Sequence, residues 1–169
     1  LNFTAEALAQ EATTLVQKLS AGLHTLPEVD DVHYGATQKQ EVWRDGKVVL
    51  YRFIGEKAPT AKIPLLIVYA LVNRPYMVDL QHDRSLVKNL LAHGEDVYLI
   101  DWGYPDASDK FLTLDDYING YIKRCVDVVA RRHKLAKINL LGICQGGAFS
   151  LCFASIYPGK VQNLITMVT

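Results

Sequence analysis

Ile138-Asn139-Leu140-Leu141-Gly142-Ile143-Cys144-Gln145-Gly146-Gly147-Ala148-Phe149-Ser150 decides how this chain is read. An apolar run leads into Gly-x-Cys-x-Gly, and a segment of small and apolar residues continues to Tyr157-Pro158-Gly159. Strand, tight turn and helix in that order form the pattern of a nucleophile elbow, with Cys144 at its apex. Gly142 and Gly146 stand two residues either side of Cys144, where a sharp turn leaves no room for a Cβ; Gly147 extends the small-residue stretch. A helix opening directly after Cys144 turns unpaired N–H groups and its positive dipole end toward the sulfur, which favours a thiolate. The N–H of Gln145 then faces a developing oxyanion. An arbitrary free cysteine is a small buried hydrophobe; the flanking strand and helix are what make Cys144 a candidate nucleophile.

The 169 residues suit one domain with a sizeable core, and half of them are hydrophobic. Lys plus Arg equals Asp plus Glu, 18 of each, so no overall field recruits nucleic acid or an anionic membrane. Cys125, Cys144 and Cys152 follow no metal-ligand spacing, and no secretory leader pattern is present, which points to a cytoplasmic setting with no metal and no cofactor. The longest apolar runs are too short for a membrane-spanning helix.

Upstream, residues 3–19 carry Leu8, Ala12, Leu15, Val16 and Leu19 on one helical face, with Gly22 expected to end the helix. That face suits packing on the domain or contact with a partner or lipid-like surface. Residues 1–36 thus form an N-terminal helical segment ahead of a domain at 37–169. Residues 37–44 and 47–53 alternate as two edge strands joined through Asp45-Gly46, and residues 64–69 read as a strand covered on both faces.

The loop after that strand is where an elbow architecture draws its second oxyanion N–H, with Val72 and Met77 as the candidates. Asn73 and Arg74 are candidate substrate contacts there, although an arginine capping a loop fits Arg74 equally. Residues 84–93 predict a helix closed by Gly94, residues 97–100 a buried strand, and Trp102 a loop anchor or pocket wall. A helix starting at Thr113 carries Leu114, Tyr117, Ile118, Tyr121, Ile122, Cys125, Val126 and Val129 on its apolar side and ends in Arg131-Arg132-His133-Lys134, a solvated basic end. Cys125 reads as inert, Cys152 as core packing within the helix after the elbow, and residues 162–169 as one more strand.

Hairpin, strand, helix, strand, helix, strand, elbow, helix and strand make up the first two-thirds of an α/β-hydrolase sheet. In that fold the acid and the histidine follow the nucleophile along the chain. His24, His33, His82, His93 and His133 all precede Cys144, and His82, behind the oxyanion loop, is only the nearest of them. These residues alone are therefore expected to be catalytically incomplete.

Four segments carry a resemblance: PLLIVYALVNRPYMVDLQ at 64–81, DWGYPD at 101–106, LDDY at 114–117 and KINLLGICQGG at 137–147. The chain resembles the catalytic subunit of polyhydroxyalkanoate synthases, most closely the class III type. The resemblance implies a lipase-like box in which cysteine replaces serine, with Cys144 carrying the growing acyl chain. It implies polymerisation of 3-hydroxyacyl-CoA, notably 3-hydroxybutyryl-CoA, with release of CoA, and further a homodimer, a dedicated second subunit and cytoplasmic polymer granules. A cysteine-nucleophile esterase or thioesterase is one rival, and a non-catalytic granule- or partner-binding module using the first helix is another.

Overall fold

The computed structural model describes residues 5–25, 34–35 and 37–169, and within its first helix the side chains of residues 9–22. Phe3, His33 and the side chains of Leu8 and His24 lie outside the described residues. Two compact units divide at residue 33. The first contains helix α1, Ala5–Thr25. Gly22 does not end it; a glycine in a helix interior costs only about 1 kcal/mol, too little to stop a helix already under way. Leu15, Val16 and Leu19 are more than half exposed along one side of α1.

The second unit is built on a six-stranded sheet in the order β1-β2-β6-β3-β7-β8. Its strands are β1 Lys39–Asp45, β2 Val48–Phe53, β3 Leu65–Val68, β6 Val97–Asp101, β7 Ile138–Ile143 and β8 Val161–Met167. β6, β3, β7 and β8 run parallel, and the β1–β2 hairpin adds antiparallel at one edge. Asp45 pairs with Val48, so the two-residue loop is Gly46-Lys47 rather than Asp45-Gly46, with Gly46 taking φ 57 at its first position. A bulge between Glu41 and Trp43 shifts the register of that hairpin.

Successive residues of each buried strand serve opposite cores. Leu66, Val68, Tyr98, Ile100, Ile138 and Leu140 pack with the helices after β6 and β7, while Leu65, Ile67, Val97, Leu99 and Leu141 pack with α2, Leu86–Ala92. Ser85 caps α2 by accepting the Lys88 N–H, and Gly94 with φ 86 follows its C-terminus. Between β3 and α2 the chain makes a 3-10 turn, Pro75–Val78, and a small hairpin of β4 Asp79–Gln81 and β5 Arg84–Ser85.

The long helix expected from residue 113 onward is not uniform. Asp116–Ile122 winds as a π-helix, and α3, Lys123–His133, continues it. Thr113 and Asp116 cap this helix reciprocally: Thr113 N–H donates to Asp116 Oδ2 at 2.7 Å and Asp116 N–H to Thr113 Oγ1 at 3.4 Å. The wider turn and the preceding cap leave Leu114 exposed instead of on the apolar face. α4, Gln145–Ile156, buries Gly146, Gly147, Phe149, Ser150 and Phe153. Cys152 is exposed, not core: it stands one residue, about 100° of helix rotation, short of Phe153 and looks outward. Among the described residues no helix is long and apolar enough to cross a membrane.

Candidate active site

Cys144 joins β7 to α4 with φ 55 and ψ −127, a conformation that L-residues avoid and that costs of order 1–3 kcal/mol. Neighbouring elements hold it there. Its N–H donates to Met167 O at the end of β8 at 2.9 Å, and its carbonyl accepts the Gly147 N–H at 2.8 Å. A Cβ on Gly142 would lie 2.5 Å from Gly147 Cα, so the entering strand and the leaving helix touch through bare backbone. The result is an exposed thiol at the C-terminal edge of the sheet, at the N-terminus of a twelve-residue helix. The Gln145 N–H is the first amide of that helix, among the donors that no intrahelical carbonyl reaches.

Tyr69 and Ala70 follow β3 and are buried against this turn. Burial raises the Tyr69 hydroxyl above its ordinary pKa, and the negative charge of the Cys144 thiolate adds to the rise. Trp102, reached directly from β6, is buried and donates its Nε1–H to Tyr69 O at 2.9 Å, so it anchors the loop as its alternative role required. Tyr117 from the π-helix meets the Trp102 ring edge-on at 5.6 Å and stacks on Phe149 of α4 at 6.2 Å. An aromatic wall thus runs from the β6 loop to the helix that carries the elbow. Tyr117 and Phe149 read in the sequence only as core or filler, because their meeting depends on the π-helix register.

Of the two proposed loop donors, the Met77 N–H is committed to Arg74 O at 3.0 Å within the 3-10 turn. The Val72 N–H takes no acceptor among the described residues, and Val72 is 81% exposed. One residue before it, the Leu71 N–H donates to Gln145 Oε1 at 3.1 Å, a contact the sequence does not announce. Arg74 donates to Gly103 O at 2.9 Å and lies over the Tyr104 ring, tying the β3 and β6 loops together at the same sheet edge. Asn73 is exposed between them.

The remaining titratable candidates lie elsewhere. Cys125 is fully buried, and burial pushes its thiol far above the ordinary range. His82 contacts Lys88 and borders a cavity of about 470 Å³ beside α2, with Thr37, Glu56 and Lys57 on its walls. His133 packs under the sheet, where Nε2 lies 2.9 Å from Tyr98 Oη and 3.4 Å from Asp96 Oδ2. The helix end that carries it is therefore only partly solvated. Among the described residues no three His, Cys, Asp or Glu side chains converge as metal ligands.

Sequence and structure comparisons agree with the fold. The PhaC subunit of the poly(3-hydroxyalkanoate) polymerase of Allochromatium vinosum is 57% identical over 166 residues, which are 97% of this chain and 47% of that protein. The corresponding subunit of Synechocystis sp. is 54% identical over 160 residues, 94% of this chain and 42% of that protein. The chain spans about half the length of the curated relatives it matches. A potato epoxide hydrolase shares the fold at a TM-score of 0.55 and 15% identity, over 77% of this chain and 39% of its own. The alpha/beta hydrolase fold matches residues 63–169. With its strand order, its cysteine elbow and that match, the chain belongs to the alpha/beta hydrolase fold family.

Proposed function

We propose that Cys144 is the acyl-carrying nucleophile of a poly(3-hydroxyalkanoate) polymerase. The observation that carries this reading is the exposed thiol held at φ 55 on the β7–α4 turn, and the relatedness to PhaC subunits supports it. The thiolate attacks the carbonyl carbon of a 3-hydroxyacyl-CoA, notably 3-hydroxybutyryl-CoA. The carbon–sulfur bond to CoA breaks, CoA departs as the thiolate and takes up the proton that Cys144 gave to its base, and a thioester to Cys144 Sγ forms. One thioester replaces another, so acyl units are taken up and passed on with little change in free energy. A monomer hydroxyl, relieved of its proton by a base, then attacks the bound carbonyl, and the new ester forms as the C–S bond to Cys144 breaks. The freed thiolate takes the lengthened chain back from its CoA thioester with release of CoA. The N–H groups of Gln145 and Val72 hold the oxyanion in both steps, with Asn73 and Arg74 beside the acyl group.

In this fold the histidine and its acid come after the nucleophile, and all five histidines of the chain precede Cys144. Residues 1–169 on their own are therefore expected to turn over little substrate. The reading also carries a homodimer, a second synthase subunit and cytoplasmic polymer granules; the description of the relatives as subunits supports the second of these. The test is product analysis on the complete protein supplied with 3-hydroxybutyryl-CoA. Polymer with matching CoA release is expected. Free 3-hydroxybutyrate without polymer would make the protein a thioesterase, and no acyl transfer at all would make it a binding module.

A further inference from the structure

The residue after the nucleophile contributes more than its backbone. Gln145 Oε1 accepts the Leu71 N–H at 3.1 Å across 74 positions of sequence, joining the elbow to the loop that leaves β3. At this point the loop is otherwise held by the Leu71 side chain, which packs on the core; residues 71–74 belong to no helix or strand, and Val72 and Asn73 are exposed. Its next fixed points are the Arg74 contact with Gly103 O and the turn that begins at Pro75. Val72, whose N–H meets no acceptor among the described residues, lies directly between the clamped Leu71 and those fixed points.

We propose that the Gln145 side chain is a positioning residue. By holding the Leu71 amide it sets the place and direction of the Val72 N–H relative to the Gln145 N–H, so that one residue supplies one oxyanion donor and aligns the other. This rests on the polymerase reading of Cys144. An oxyanion donor is worth its full effect only when aimed at the place where charge develops, and loss of one costs on the order of 100-fold or more in kcat. A displaced donor forfeits part of that, because misplacement by about 1 Å already costs on the order of 100-fold. The clamp holds backbone at Leu71, while Arg74 keeps its own tie to Gly103 O, so loss of the clamp is expected to fall on kcat rather than on KM.

Two variants of the complete protein test this. Gln145→Met keeps the backbone N–H and the side-chain length but removes the oxygen acceptor; Gln145→Glu keeps an acceptor. Amide exchange at Leu71 is expected to quicken at least about fivefold in Gln145→Met and to stay slow in Gln145→Glu. For Gln145→Met, kcat for CoA release is expected to fall at least about tenfold, with KM for 3-hydroxybutyryl-CoA within twofold of wild type. The proposal is overturned if kcat of Gln145→Met stays within twofold of wild type, if KM rises in proportion to the loss, or if Leu71 exchanges alike in the three proteins. Cys144→Ala, run alongside, separates the two levels: turnover persisting there would overturn the nucleophile assignment, while the exchange rates still report on the clamp.

Discussion

A Cβ on Gly146 would stand 2.0 Å from the Val68 carbonyl oxygen, so α4 begins in direct backbone contact with the end of β3. No rotamer change relieves that contact. Gly146→Ala must push the helix off the strand, at a cost beyond the about 1–3 kcal/mol of ordinary overpacking. Gly120→Ala is its control. A Cβ there meets nothing within 4 Å, and the exchange is expected to be neutral or to stabilise by up to about 1 kcal/mol. Denaturant midpoints of the two variants check both signs.

Cys144 holds its place on the turn at the expense of backbone comfort. Cys144→Gly is expected to stabilise the fold by about 1 kcal/mol or more while abolishing acyl transfer. Cys144→Ala also loses the thiol but keeps a Cβ, and should show no comparable gain. Comparing the two unfolding midpoints isolates the strain from the chemistry.

The fold and the elbow were legible because their signals are local. Glycines two residues either side of Cys144 and the apolar runs at β3, β6 and β7, the last broken by Asn139, reflect contacts that admit few residue types. Other features depend on registers that several patterns satisfy. Tyr117, Ile118, Tyr121 and Ile122 suit an α-helix as well as the π-helix that occurs, and it is the wider turn, with the cap before it, that leaves Leu114 exposed. The hairpin loop lies one residue further on because Asp45 still pairs with Val48, and Gly46 supplies the positive φ at the first loop position. Met77 failed as a donor because Pro75 opens a turn that consumes its N–H, and the Leu71 clamp needed the reach of a side chain 74 residues away.

Arg52 and Asp96 form a bidentate pair, at 2.8 and 2.9 Å, in which Asp96 is only 3% exposed. Arg52→Met leaves that carboxylate buried without its cation and is expected to cost about 3 kcal/mol. The double variant Arg52→Met/Asp96→Leu removes both charges and should recover most of the loss. Equilibrium unfolding of the four proteins in the cycle measures this.

His133 gives the fold a pH dependence with a definite sign. Burial holds its pKa below the ordinary 6.5, against the attraction of Asp96 and with help from the positive charges of Arg52 and Arg132. The folded state thus prefers the neutral ring, whose Nε2 lies 2.9 Å from the Tyr98 hydroxyl. This contribution is complete above the unfolded value of 6.5 and is lost as pH falls from there through the lower folded value. His133→Gln should flatten that part of the stability profile, followed by denaturant midpoints between about pH 7.5 and pH 5.

Thiol modification distinguishes the three cysteines. Cys144 and Cys152 are exposed and should alkylate in the native protein, whereas Cys125, fully buried with its thiol held protonated, should react only after unfolding. Peptide mapping after native and denatured labelling reads the difference.

The most direct measurement is the site of acylation. The complete protein, incubated briefly with 3-hydroxybutyryl-CoA, quenched in acid and digested, should carry the 3-hydroxybutyryl mass on the peptide containing Cys144, as a bond labile to hydroxylamine. An acyl group found on another residue, or CoA released with Cys144 unmodified and dispensable, would contradict the assignment of this thiol as the group that carries the chain.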